Sequence, residues 1–449
     1  MPADALAYAK RRANLLACMR TSEGGVPVAL GKRTSNLFRD RAQGRKQRLD
    51  LNDFHHVIEV DTDHEWVDAE GLTTYENLVA STLSHEVMPA VVPQLKTITV
   101  GGAAAGVGIE ATSFRHGLVH ETLLEFDVLL PGGEVVLCTP HNEHRDLYYG
   151  FPNSYGTLGY ALRLRQRTLP VKPCVRVEHL RFEAPRDFFA ALAEHCVGTA
   201  DFIDGVAFGP QTLVINVAGF VERAPWLSDY TFDQIYYRSL LEKPFDYLTT
   251  RDYLWRWDTD WFWCSKNFGA QYPLVRRILG RERLNSRTYL RAMRWNARWG
   301  LTRRLASLRG RHPETVIQDV DIPLQHAEEF LAFLLREIGI LPVWICPLRA
   351  VDGQARFTLY PLDPQTLYVN FGFWDSVDSA VAHEPGHFNR LVEREAIRLG
   401  GIKSLYSDSY FTREEFARAY AIPRYEALKA KYDPTGRLLG LYDKAVLRA

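Results

Sequence analysis

No stretch of the 449-residue sequence reaches the roughly 20 consecutive apolar residues of a bilayer-spanning helix. The opening MPADALAYAKRRANLLACMR lacks the apolar core of a secretory leader. Six cysteines, Cys18, Cys138, Cys174, Cys196, Cys264 and Cys346, make no C-x-x-C pair. That argues against a zinc ribbon or a disulfide framework and suits a reducing cytosol. Net charge is missing too: 54 Lys and Arg balance 54 Asp and Glu, so the molecule as a whole is no polyanion binder. Internal repeats and low-complexity linkers are absent. What remains is a cytoplasmic globular protein, soluble or peripheral at the inner face of a membrane, with chain enough for two or three cores.

What is present reads as α+β rather than regular β-α-β alternation. Residues 8–20 pattern as a short amphipathic helix, and GGVPVALGKRTSNLF as strand, turn and loop. Two strands follow, then a helix capped by Thr73 or Thr74 with Glu76 close behind. TITVGG is expected to be a strand. The stretch 118–140 is expected to be a hairpin turning at Pro131-Gly132-Gly133, and GTLGYALRLRQRTLP another strand. A last helical stretch follows Thr412.

The glycine run TVGGAAAGVGIEATSFRHGL, 99–118, poses a choice. Gly106-Val-Gly108-Ile-Glu-Ala111 fits the G-x-G-x-x-G/A turn of a dinucleotide-binding β-α-β unit. Such a unit needs a long helix after the turn, but Gly117 and a hairpin come next. A glycine loop packed against a flavin accounts for more of the chain. VPVALGKRTSNLF resembles the pyrophosphate loop of the vanillyl-alcohol-oxidase, or PCMH-type, FAD-binding superfamily. TVGGAAAGVGIEATSFRHG resembles its second flavin loop, DLYYGFPNSYGTLGYALRLRQRTLP its flanking Gly-x-x-Gly and strand, and KYDPTGRL its closing motif. Within the superfamily, VVPQLKTITVGGAAAGVGIEATSFRHGL, LPVWICPL, TLYVNFG and LYSDSYFTREEF resemble segments of delta-24-type sterol reductases and of bacterial reductases of methylene-branched acyl lipids.

The resemblance implies a PCMH-type FAD-binding domain over 1–174 and a cap or substrate domain over 175–405, an antiparallel sheet flanked by helices. It also implies a C-terminal segment, 406–449, returning to the FAD domain. Implied cofactor contacts are Gly31, Lys32, Arg33, Thr34, Ser35, Asn36, Thr99, Val100, Gly101, Gly102, Gly106, Gly108, Ile109, Ser113, Gly156, Thr157 and Gly159. The first loop has no histidine to bond the flavin, so FAD is expected to be non-covalent. The implied reaction is saturation of a lipid carbon–carbon double bond with NADPH or NADH as hydride donor. The sterol enzymes carry an N-terminal membrane anchor that this sequence does not show. A methylene-branched acyl chain, as in tuberculostearic-type fatty acid synthesis, therefore stands beside a sterol side chain as substrate. The rivals are an FAD-dependent oxidase or dehydrogenase of an alcohol or hydroxy acid, and a flavoprotein scaffold for a lipid methyltransferase, itself a candidate partner.

Saturating an isolated alkene needs a proton for one carbon as well as hydride for the other, hence a positioned acid. Lys403, Tyr406, Asp408 and Tyr410 cluster before the helix capped by Thr412, with Glu415 three positions on. Period two would put Tyr406, Asp408 and Tyr410 on one face of an extended segment, either as a proton source or as a satisfied half-buried strand. Glu110 is the rival acid. HEPGH, 383–387, matches a zinc-protease pattern, but Pro385 and Gly386 break the helix that motif requires, so no metal is expected. Between Arg276 and Arg311 lie twelve arginines and one acid, Glu282. Leu290, Met293, Ala297, Leu301, Leu305 and Leu308 fall at helical steps there, with Arg287, Arg291, Arg294 and Arg298 off the stripe beside Trp295 and Trp299. This is either a charged cover over the core or a basic amphipathic helix for an anionic membrane. Nucleic acid is not expected, since no recognised motif accompanies the charge.

Overall fold

Alternation of apolar and polar side chains builds two antiparallel sheets. The computed structural model describes residues 3–20, 28–32, 38, 47–299, 310–353 and 356–448, and only the backbone at 3, 20, 294 and 296–299. A helix, Ala3–Arg20, is followed by a parallel pair, β1 (Val28–Gly31) and β2 (Gln47–Asp50). Then come β3 (Val57–Asp61), β4 (Trp66–Glu70), β5 (Val87–Pro89), β6 (Leu123–Leu129), β7 (Val135–Cys138) and β8 (Tyr160–Pro170). These six form one sheet, ordered β3-β4-β8-β6-β7 with β5 also on β8. Along β8, Leu162 and Leu164 are fully buried. Their neighbours Arg163 and Arg165 turn to the other face and pair with Asp68, at 2.7 and 3.1 Å.

The second sheet holds β9 (Cys174–Phe182), β10 (Phe202–Gly209), β11 (Thr212–Val221), β12 (Phe245–Thr249), β13 (His312–Pro323), β14 (Val343–Leu348), β15 (Tyr368–Ser379) and β16 (Ile402–Lys403). Its order is β12-β9-β11-β10-β14-β15-β13-β16. One face packs Val316, Val320, Val343, Ile345, Val369, Phe371 and Phe373 against helices Pro185–Cys196, Ala327–Phe333 and His387–Arg398. With a side-chain period of two, the intervening residues of β13, β14 and β15 face the other way, toward the first sheet. Among the described residues no helix is long and apolar enough to cross a membrane.

Several local expectations hold. Thr74 caps helix Tyr75–Leu83, and Thr412 forms a capping box with Glu415. β6 and β7 make the hairpin around 131–133. TITVGG does not form a strand. Thr99 caps a short helix, Val100–Ala105, whose first amides are taken by Thr73 O and Gly71 O, both at 2.9 Å. Two adjacent glycines let that turn sit on the backbone of residues 71–73, a contact no strand pattern predicts. In HEPGH the helix starts only at His387, with Gly386 before it at φ +78°. The rings of His383 and His387 stack at 4.2 Å, and no group of three metal-ligating side chains occurs among the described residues.

The C-terminal segment returns to the first sheet. Val28 N donates to Arg437 O at 2.8 Å, Lys429 Nζ to Thr157 O at 2.8 Å and Lys444 Nζ to Tyr155 O at 2.7 Å. In the arginine-rich region, helix Ser286–Trp299 buries Tyr289 and Leu290. Arg276 is itself buried, its guanidinium 2.6 Å from Asp260, so the basic surface does not begin there. Leu301, Leu305 and Leu308 lie outside the described residues, as do the side chains of Arg294, Ala297, Arg298 and Trp299.

Candidate active site

A cavity of about 890 Å³ lies between the two sheets, near the top of the roughly 300–1,000 Å³ range of ligand pockets. One wall is backbone. Gly71, Gly101, Gly102, Gly106, Gly108, Gly156 and Gly159 line it, with Gly31, Lys32 and Thr99. The packing behind this wall leaves no room for side chains: a Cβ on Gly101 would sit 2.9 Å from Gly71 O. A Cβ on Gly102 would meet Thr99 Oγ1 at 2.8 Å and lie 3.9 Å from Lys32 Nζ. Only glycine permits such approach. The result is bare peptide beside a cation, the surface a flat, phosphate-bearing cofactor needs.

The opposite wall is side chains. Trp344 on β14, Asn370 and Trp374 on β15, and Asp319 and Asp321 on β13 face the cavity, joined by Tyr360, Tyr406, Trp261 and Phe262. Trp261 and Phe262 hold left-handed backbone, φ 45° and 59°, a strain of about 1–3 kcal/mol each. Their rings are braced by Phe38, stacked on Trp261 at 5.7 Å, and by Trp374, 4.5 Å from Phe262. Asp321 accepts from Tyr360 Oη at 2.6 Å and Asn370 Nδ2 at 2.7 Å. Burial raises its pKa to about 6 despite those donors. Burial also holds the Asp319 carboxyl well above the usual range, with the Asp321 charge adding to the effect. Trp374 Nε1 donates to Tyr406 Oη at 2.8 Å.

Of the residues expected to contact cofactor, Gly31, Lys32, Thr99, Gly101, Gly102, Gly106, Gly108, Ile109, Gly156 and Gly159 line the cavity. Val100, Ser113 and Thr157 do not; all three are fully buried behind it. Ser113 Oγ accepts from Glu110 N at 3.1 Å and Thr157 Oγ1 donates to Ser154 O at 2.8 Å. Arg33, Thr34, Ser35 and Asn36 lie outside the described residues.

Of the five candidate acids, only Tyr406 reaches the cavity. Lys403 turns to the opposite side, its ammonium buried 2.8 Å from Glu393. Asp408 faces Arg448 at 3.5 Å, and Tyr410 lies under the same guanidinium, 5.0 Å from its ring centre. Burial alternates along 405–410, with Tyr406, Asp408 and Tyr410 at the less buried positions, but of these three only Tyr406 lines the cavity. Glu110 sits in a buried network: Arg256 binds Glu110 at 3.0 Å and Asp204 at 2.8 Å, while Trp257 and Trp344 each donate to Asp204 at 3.2 Å. Burial raises Glu110 to about 6, opposed by Arg256. Through Arg256 and Asp204 it connects to Trp344 of the cavity wall.

Sequence reasoning missed Asp319, Asp321 and Tyr360. A signal existed in VIQDVDIP, where acids alternate with β-branched residues, a strand with one polar face aimed inward. Trp344 and Asn370 stand in LPVWICPL and TLYVNFG, two of the segments that carry the family resemblance.

Comparison with known proteins bears on the cofactor. A family model described as an FAD binding domain matches residues 3–139. Residues 3–139 are an FAD-binding domain. The whole chain is similar to Delta(24)-sterol reductases. It is 26% identical to that of Arabidopsis thaliana over 93% of this chain and 79% of the relative. It is 26% identical to that of Homo sapiens over 86% of this chain and 75% of the relative. A shorter match, 31% identical over 27% of this chain and 22% of the relative, is to cytokinin dehydrogenase 10 of Oryza sativa subsp. japonica. The protein thus carries a PCMH-type FAD-binding domain and is an FAD-dependent oxidoreductase.

Proposed function

We propose that this protein saturates an isolated carbon–carbon double bond in a lipid, using NADPH or NADH. The observation that carries the reading is a single cavity with a cofactor cradle on one wall and an aromatic, acid-bearing wall opposite. The glycine wall at Gly101, Gly102, Gly106, Gly108, Gly156 and Gly159, with Lys32, would hold FAD, which would supply the two-electron chemistry between a nicotinamide and the alkene. Tyr406 gives the proton to one alkene carbon. Trp261, Phe262, Trp344 and Trp374 hold an apolar chain and keep water away. Trp374 orients the Tyr406 hydroxyl by donating to its oxygen, leaving the hydroxyl proton for transfer. The similarity to Delta(24)-sterol reductases supports the reaction class.

The substrate we favour is a methylene-branched acyl chain on an anionic phospholipid, with a sterol side chain the alternative. A lipid methyltransferase that installs the branch carbon is the partner such a substrate needs. Exposure supports a lipid surface. Tyr272, Leu274 and Ile278 are about 70% exposed and Trp295 59% exposed, with Arg277, Arg283 and Arg291 exposed among them. Arg281 and Arg287 are engaged by Asp229 and Glu76. Basic residues near an anionic surface contribute about 1 kcal/mol each. The protein is expected to co-sediment with anionic vesicles and leave neutral ones. Equal binding to both removes the membrane from this account.

The rival is an oxidase or dehydrogenase of an alcohol, favoured by the partial match to cytokinin dehydrogenase. Anaerobic bleaching of the yellow protein separates the two. A reductase is bleached by NADPH or NADH, an oxidase by its alcohol. Acid precipitation is expected to release the FAD; flavin left in the pellet would overturn the non-covalent reading.

A further inference from the structure

Two carboxyl groups project into one cavity from the same strand face, yet the reaction proposed above uses a single proton. Asp319 and Asp321 stand two residues apart on β13, hence on the same side, and their surroundings differ. Asp321 is held by two donors, Tyr360 and Asn370. Asp319 Oδ1 is buried without a hydrogen-bond partner among the described residues. Across the register Asp319 faces Gly372. A Cβ there would lie 2.6 Å from Asp319 Oδ1 and 2.7 Å from the Trp374 ring, so the glycine leaves the space that the carboxyl occupies. Beside it stands Tyr406. Its segment is pinned by Phe38 N donating to Tyr406 O at 3.0 Å, and by the two rings packed edge-on at 5.8 Å.

We propose that Asp319 is the proton reservoir behind Tyr406, the pair forming a two-residue relay with Asp321 as its charged neighbour. The inference rests on the alkene-reduction reading and deepens it. The Tyr406 O–H bond breaks as a C–H bond forms at one alkene carbon. The Asp319 O–H bond breaks as the Tyr406 O–H bond is remade, and the carboxylate regains a proton from water. The other alkene carbon takes hydride originating in NADPH or NADH, so the alkene gains two hydrogens and the nicotinamide is oxidised. The relay needs Asp319 neutral and Asp321 ionised at neutral pH, and burial with like-charge proximity separates two acids in this way. Other titratable groups packed on the cluster are phenols, Tyr155, Tyr360 and Tyr420, and the Cys346 thiol near Asp321. Lys403 of β16, paired with Val320 of β13, points away to Glu393. No described basic group acts on Asp319.

The test uses the FAD-loaded protein and two readouts. The infrared spectrum at neutral pH is expected to show a buried protonated-carboxyl band that Asp319→Asn removes and Tyr406→Phe keeps. In stopped flow, Asp319→Asn is expected to slow alkene saturation about 10²-fold while bleaching by NADPH or NADH stays at the parent rate. The parent saturation rate is expected to fall as pH rises through the Asp319 ionisation, because the active form is the protonated one, and Asp319→Asn should flatten that profile. Gly372→Ala, which crowds the carboxyl, is expected to give a milder slowing with FAD retained. A parent spectrum without the carboxyl band overturns the relay, whether or not any variant folds. So does an Asp319→Asn protein with parent rate and parent pH profile. A parent that saturates no alkene overturns the functional reading, and the relay's role with it, even when the band is present.

Discussion

The two walls of the cavity are made of different material. One wall is largely backbone, shaped by Gly71, Gly101, Gly102, Gly106, Gly108, Gly156 and Gly159. The opposite wall is side chains gathered from β13, β14, β15 and three loops, brought together only by strand pairing. A backbone wall fixes where a cofactor lies and is indifferent to what is reduced. A side-chain wall decides which substrate enters and where its proton comes from.

Removing chemistry from the side-chain wall breaks the comparison most severely. Tyr406→Phe is expected to slow alkene saturation about 10²–10⁴-fold, with FAD content and flavin bleaching by NADPH or NADH unchanged. Tyr410→Phe, outside the cavity, should leave both half-reactions near parent rates. Single-mixing stopped flow reads each. Saturation at the parent rate in Tyr406→Phe would move the proton donor elsewhere.

Next in size is the network behind the wall. Arg256→Ala leaves Glu110 and Asp204 buried without their shared cation, and breaking such a pair costs about 3–5 kcal/mol. Thermal unfolding should show it as a large loss of Tm. An unchanged Tm would mean the three charges are not coupled.

The backbone wall should respond in the opposite sense, in binding rather than rate. Gly102→Val is expected to weaken FAD binding at least tenfold, about 1.4 kcal/mol, because its Cβ meets Thr99 Oγ1 at 2.8 Å. The ratio of flavin to protein absorbance measures it, and full occupancy would remove Gly102 from the cradle.

The two walls were also unequally legible. Glycine spacing is a local signal, so Gly101, Gly102, Gly106, Gly108, Gly156 and Gly159 could be read along the chain. The short helix at Val100–Ala105 was misread as a strand because its first amides are satisfied by residues 71–73, which no local pattern reveals. Polar residues crowd the sequence at 403–410, the stretch that locally points to an acid. The fold splits that cluster, sending Tyr406 to the cavity and Lys403, Asp408 and Tyr410 to Glu393 and Arg448. Asp319 and Asp321 escaped notice because their significance lies in pairing with β15, about 50 residues away. The arginine-rich stretch was legible as a helix but not in which arginines are exposed: Arg276 is spent on Asp260.

The proposed reduction of a lipid alkene beside the flavin can be read directly. The most direct test is anaerobic mixing of the NADPH- or NADH-bleached protein with a phospholipid bearing a methylene-branched acyl chain, and in a parallel run with a side-chain-unsaturated sterol. The account predicts return of the oxidised flavin absorbance with one of them, and a recovered lipid heavier by two hydrogens. A protein that stays bleached with both lipids, yet is itself bleached by an alcohol, would contradict it.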